Sequence, residues 1–140
     1  MTFTIEGQAV PQGRPRFTRY GHAYDPKKSR DYKEQVALAA SLAMRGQSAF
    51  EKGTPLKCMI SVWLKMPARF TKKQKELAEK EILRPTTKPD ADNLAKAITD
   101  AMNGIVYADD AQIAELVCKK LYGAEPRVMV TVNVTDENKG

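Results

Sequence analysis

Residues 127–135 read Arg127-Val128-Met129-Val130-Thr131-Val132-Asn133-Val134-Thr135. Valine at every second position is the pattern of a strand with one buried and one open face. Working backwards, Gly123-Ala124-Glu125-Pro126 is turn chemistry. Residues 112–122 are ambiguous between helix and strand, and a hairpin through that turn makes them a strand. Leu56 to Lys65 is rich in strand formers (Ile60, Val62, Trp63) and is stopped by Pro67. Phe3 to Val10 reads as an opening strand. Helical spacing appears three times. Tyr32, Val36, Ala39, Ala40 and Ala43 repeat after Ser29, a potential N-cap. Thr71-Lys72-Lys73-Gln74 fits a capping box before a charged helix running to about Leu83. Leu94, Ala97, Ile98 and Ala101 form the core side of a third helix that Asp92 or Asn93 can cap and Asn103-Gly104 ends. The expectation is an α+β, or α/β-like, fold: a single small domain over residues 1–140, with about four strands in a mixed sheet and about three helices.

The composition excludes several chemistries. His22 is the only histidine, and the two cysteines, Cys58 and Cys118, form no CxxC pair. A structural zinc site or a Ser-His-Asp triad therefore has too few parts, and the cysteines read as reduced, buried thiols. Any metal must be held by carboxylates, which selects Mg²⁺ or Mn²⁺. The apolar runs fall short of the ~20 residues of a membrane span, and Met1 to Val10 lacks the order of a signal peptide. A cytoplasmic protein with no membrane partner is expected.

The net charge of +6 is uneven: residues 1–89 hold 18 Lys and Arg against 8 acids, residues 90–140 hold 5 against 9. A basic body beside an acidic cluster fits a polyanion partner together with a cation site. The basic part centres on the loop 11–28 and its flank, where Arg14, Arg16, Arg19, Lys27, Lys28 and Arg30 are interleaved with Phe17, Tyr20 and Tyr24. Cations for phosphates and rings for exposed bases are the elements of such a surface.

The acidic part is organised around Lys88-Pro89-Asp90-Ala91-Asp92-Asn93-Leu94-Ala95-Lys96, followed by Asp109-Asp110. In extended backbone Asp90 and Asp92 project to one side, roughly 7 Å apart, a spacing that suits carboxylates converging on a cation. The same residues can also be simple helix caps, and Lys96 and Asp100 can be a plain surface pair. Five aspartates within 21 residues (90, 92, 100, 109 and 110) repel one another, and a bound cation would relieve this.

Three segments together resemble a known family: Lys88-Pro89-Asp90-x-Asp92-Asn93-Leu94-x-Lys96-Ala97, Asp100-Ala101-x-Asn103-Gly104, and Asp109-Asp110-x-Gln112-Ile113. The motif over 88–113 is similar to that of the RusA-type Holliday-junction resolvases. Pro11-Gln12-Gly13-Arg14-Pro15-Arg16-Phe17-Thr18 and Tyr24-x-Pro26-x-x-Ser29-Arg30-x-Tyr32 resemble the phage branch of that family. The resemblance implies a homodimeric, Mg²⁺-dependent endonuclease, with Mn²⁺ as a substitute metal, acting on four-way DNA junctions. It implies metal-binding roles for Asp90, Asp92 and Asp110, with Asp109 as understudy, and an essential catalytic role for Lys96. Arg14, Arg16, Arg19, Lys27, Lys28 and Lys88 are the expected DNA contacts. Where well-studied members carry a basic residue directly before the first aspartate, this sequence has Pro89, with Lys88 one position earlier. Two other readings compete: a non-catalytic basic DNA-binding dimer whose aspartates are caps, and a nucleotide-sugar transferase using Asp-x-Asp with Mn²⁺. The chain is too short for the latter and lacks its strand, Gly-rich loop and helix unit.

Overall fold

The alternating valines form a strand whose neighbours come from distant parts of the chain. The computed structural model describes residues 1–13, 16–17, 23–24 and 27–135. In chain order the elements are β1 (Thr2–Glu6), β2 (Arg16–Phe17), β3 (Ala23–Tyr24), α1 (Lys27–Ala43), β4 (Leu56–Lys65), α2 (Lys72–Glu79) and α3 (Ala91–Ala101). A short 3-10 helix (Asp110–Gln112), β5 (Ile113–Gly123) and β6 (Arg127–Val134) follow. The α+β class, the four-stranded mixed sheet and the three α-helices are as expected. Within the loop 11–28, β2 and β3 pair as a two-stranded antiparallel ribbon.

The main sheet has the order β1-β6-β4-β5. β6 runs antiparallel to β1 and to β4, while β4 and β5 are parallel. Gly123–Pro126 therefore does not close a hairpin, because β4 lies between β5 and β6. The reason is burial. Leu56, Cys58, Ile60 and Val62 of β4 are fully buried and suit the centre of the sheet, whereas Ala114 to Val117 of β5 are exposed and suit an edge. Turn chemistry reports a reversal of the chain, not which strands pair across it.

The inward face of the sheet carries Phe3, Ile5, the four β4 residues, Val128, Val130 and Val132. Tyr32, Val36 and Ala40 of α1, with Leu94, Ile98 and Met102 from α3 and its end, pack over it. Each fully buried Leu or Ile contributes roughly 2 kcal/mol by leaving water. That burial fixes the roll of α3 and turns Asp92, Lys96 and Asp100 outward.

Some boundaries differ from the sequence reading. Helix α1 starts at Lys27, so Ser29 lies inside its first turn, and its Oγ accepts the Gly13 N–H at 3.0 Å instead of capping the helix. β1 ends at Glu6, and α2 stops at Glu79 although its Thr71 capping box is present. No helix among the described residues is long and apolar enough to cross a membrane.

Candidate active site

Asp90 is the N-cap residue of α3, in extended conformation, yet its side chain makes no capping hydrogen bond. Asp92 lies in the first helical turn and is exposed. The segment is thus a helix start, not the extended strand in which the two carboxylates would alternate. The capping alternative does not hold for Asp90, whose carboxylate is left free of the helix. Lys120 of β5 holds the approach to it: Nζ donates to the carbonyls of Thr87 at 2.7 Å and Pro89 at 3.0 Å. Lys88 is exposed just before this tether.

Lys96 is exposed on α3, four residues after Asp92 and on the same side. Asp100 is not its partner. The Asp100 carboxylate is taken by Lys33 of α1 at 2.8 Å, and no ion pair among the described residues uses Lys96.

Asp109 and Asp110 lie beyond the other end of α3. The Asp110 backbone N–H donates to Asn103 Oδ1 at 2.7 Å. Gln112 Oε1 accepts the N–H of Ala108 at 3.0 Å, and its Nε2 donates to the carbonyls of Glu51 at 2.9 Å and Thr54 at 3.2 Å. These bonds fasten the turn to the loop before β4, where a cavity of about 400 Å³ opens between Lys52–Pro55 and Asp109–Ala114. Desolvation, then hydrogen bonding and repulsion from Asp109, hold the Asp110 carboxyl above the usual carboxylate range, against the lowering effect of Asn103.

The aspartates fall in two places: Asp90 and Asp92, the first half, at the start of α3, and Asp110, the second, past its end, with the 11-residue helix, about 16 Å long, between them in the chain. Among the described residues no three His, Cys, Asp or Glu side chains are placed to hold a metal ion. The donor chemistry nonetheless fits a hard divalent cation, since each half offers only carboxylate oxygens and one carries unrelieved repulsion. One chain supplies those donors at two separate places.

The basic loop leaves from beside the first half. The Gln12 N–H donates to the Asn93 carbonyl at 3.0 Å, and Gly13 is fastened to Ser29. Arg16 lies in β2; Arg14 and Arg19 lie outside the described residues, as do Tyr20 and His22. Lys27 and Lys28 are exposed in the first turn of α1, which holds no acid in that turn. Their charge opposes the helix dipole and is open to an anionic partner.

Asn103, Gln112 and Lys120 were not expected as site residues. Gln112 follows Asp109 by three, the spacing of a capping box, and could have been found. Lys120 could not, because its contact depends on the register of β5.

Outward-facing aspartates at the start of α3 thus lie beside the root of the loop 11–28, a segment rich in Arg and Lys. The sequence matches the family described as endodeoxyribonuclease RusA over residues 6–133. It is also 44% identical over 135 residues to the uncharacterized protein YqaN of Bacillus subtilis (strain 168), covering 93% of each chain. The chain belongs to the RusA endodeoxyribonuclease family, the RusA-type Holliday-junction resolvases, whose members are metal-dependent DNA-cleaving hydrolases.

Proposed function

We propose that this protein is a homodimeric, Mg²⁺-dependent endonuclease that resolves four-way DNA junctions in the cytoplasm by paired phosphodiester hydrolysis. The observation that carries the proposal is the free carboxylate pair Asp90 and Asp92, on a helix start beside the root of a basic ribbon, in a chain of this family. Asp90, Asp92 and Asp110 are the metal ligands in this reading, with Mn²⁺ able to replace Mg²⁺. Bound there, the metal supplies charge for the phosphoryl oxygens and a water of lowered pKa. Lys96, free of an ion-pair partner, balances charge at the scissile phosphate. Lys120 positions Asp90 through the 87–89 backbone, and Asn103 and Gln112 position Asp110. Arg14, Arg16, Arg19, Lys27, Lys28 and Lys88 hold the DNA backbone.

A second copy completes the site. β5 is an edge strand, with Leu116 and Val117 exposed on it. An antiparallel pairing of two β5 strands across a two-fold axis at Leu116 places the two exposed Leu116 side chains against each other. It also brings the turn that leads into β5, which carries Asp110, toward the C-terminal part of the partner strand, where Lys120 holds Pro89. Each metal site then takes Asp90 and Asp92 from one chain and Asp110 from the other, and a two-fold dimer presents two sites to a two-fold junction.

The experiment is cleavage of a synthetic four-way junction against linear duplex at equal protein. Symmetrical paired nicks on the junction, dependent on Mg²⁺ or Mn²⁺ and abolished by EDTA, support the reading. Binding without nicking would return the protein to the class of non-catalytic DNA-binding dimers, and a requirement for Zn²⁺ would overturn the ligand set.

A further inference from the structure

Away from the aspartates, a cavity of about 470 Å³ opens at the end of the sheet, between α2 and the C-terminal ends of β4 and β5. Its wall joins Trp63, Met66, Tyr122 and Arg127 to Lys75 and Glu79 of α2. The Arg127 guanidinium lies over the Trp63 ring, 4.0 Å from its centre. The indole is fixed from another direction, since a methyl group on Gly123 would come within 3.2 Å of Trp63 Cδ1. A guanidinium stacked on a held indole keeps its edge N–H donors free and oriented, a preorganised fork for a phosphate or carboxylate. Neither Arg127 nor Lys75 has a carboxylate partner among the described residues. Tyr122, held edge-on by Phe70 with ring centres 5.1 Å apart, supplies an aromatic wall.

Position gives this chemistry a meaning. Tyr122 lies two residues past Lys120 on β5, so the two side chains leave the strand on the same side about 7 Å apart. Lys120 is the residue that holds the backbone before Asp90. The cavity wraps the C-terminal end of the sheet there: Tyr122 stands on the face of Lys120, and Trp63 and Arg127, which pair across β4 and β6, stand on the opposite face.

We propose that the cavity is a subsite for one unpaired nucleotide of the DNA substrate, its phosphate on Arg127 and Lys75 and its base against Tyr122 and Met66. This rests on the reading of the protein as acting on DNA. The base pairs that flank the crossing point of a branched substrate open more readily than those inside an intact duplex, and a base that stays stacked and paired cannot lie against Tyr122. The site therefore favours branched over linear DNA without reading sequence.

Trp63 is the only tryptophan in the chain, so its emission reports on the cavity wall directly. The full-length protein is titrated in EDTA with a short oligothymidylate and with a blunt hairpin duplex of matching phosphate count. The single strand quenches or shifts Trp63 emission and the duplex does not. Lys75→Glu, on an exposed face of α2, and Arg127→Ala each weaken the single-strand response about tenfold, the loss of one charge-assisted contact. Arg127→Lys, which keeps the charge and loses the stacked fork, falls between. Silent Trp63 emission, an equal response to duplex, or a folded Lys75→Glu variant binding oligothymidylate as the wild type does, each overturns the proposal. Junction cleavage is measured on the same preparations. Normal cleavage with a silent tryptophan removes only the cavity's role, whereas a normal tryptophan response without cleavage removes only the nuclease reading.

Discussion

The side-chain oxygen of Asn103 accepts the backbone N–H of Asp110 at 2.7 Å, tying the turn that carries Asp110 to the end of the helix that begins at Asp90. Asn103→Ala removes that acceptor from a half-buried donor and costs about 1 kcal/mol of stability. Because the bond orients a ligand, the larger effect falls on metal binding and turnover, a loss of about 10–100-fold. Thermal melting and single-turnover cleavage over a Mg²⁺ titration measure the two. A variant with the expected melting change and unaltered cleavage would show that Asn103 only closes the helix.

The raised proton affinity of Asp110 has a definite sign in stability. A carboxyl that binds its proton more tightly when folded disfavours the folded state once it ionises. Without metal, stability therefore falls as pH rises from the ordinary carboxylate range through the raised value. Asp110→Asn, which cannot ionise, melts higher than the wild type in EDTA at neutral pH, and the difference closes as pH is lowered. Excess Mg²⁺ reverses the order, since only the wild type gains from binding. Melting curves of both proteins across pH, with and without metal, check this.

Much of this was legible in the residues and some was not. The capping box at Thr71, the buried stripe of α3, the strand formers of β4 and the alternation in β6 are local patterns, and they read correctly because local sterics and burial set them. The partner of Asp100 is not local. Lys96 stands one turn away on the same helix, yet Lys33 from α1 makes the bond, and only the packing of α1 against α3 decides that. The same holds for Lys120 and Pro89, 31 residues apart and joined through the placement of β5 beside β4. That Asp90 and Asp92 lie before α3 and Asp110 after it is plain in the chain, but whether they meet in space depends on how residues 102–110 fold back, which a motif written on one line conceals.

Lys96 is the cation to test on that helix. Lys96→Ala leaves stability within about 0.5 kcal/mol, since the side chain is exposed and unpaired, while junction cleavage falls tenfold or more. Lys33→Ala is the control. It breaks the ion pair with Asp100 and leaves cleavage near the wild-type rate. Equal cleavage by both variants would remove Lys96 from the reaction.

The two thiols take no part in the chemistry. Burial pushes Cys58 up to about 12 and Cys118 up to about 11, so neither is a thiolate at about pH 8. Iodoacetamide should label buried Cys58 only at the rate of unfolding and half-buried Cys118 slowly, and labelled sites are read by mass spectrometry after a pulse. Rapid labelling of Cys58 in the native protein would mean that the sheet opens at β4.

The most direct test of the shared site mixes two inactive proteins. Asp92→Asn and Asp110→Asn, each prepared as a homodimer, should fold, bind junction DNA in EDTA at least as tightly as the wild type, and fail to cleave. Subunit exchange then forms mixed dimers. If each site takes Asp90 and Asp92 from one chain and Asp110 from the other, a mixed dimer holds one doubly defective site and one intact site. The account predicts that Mg²⁺-dependent nicking reappears on mixing, confined to one strand of each junction. Mixed dimers that form and remain inactive would contradict it, placing all three aspartates in one chain's site or outside the reaction.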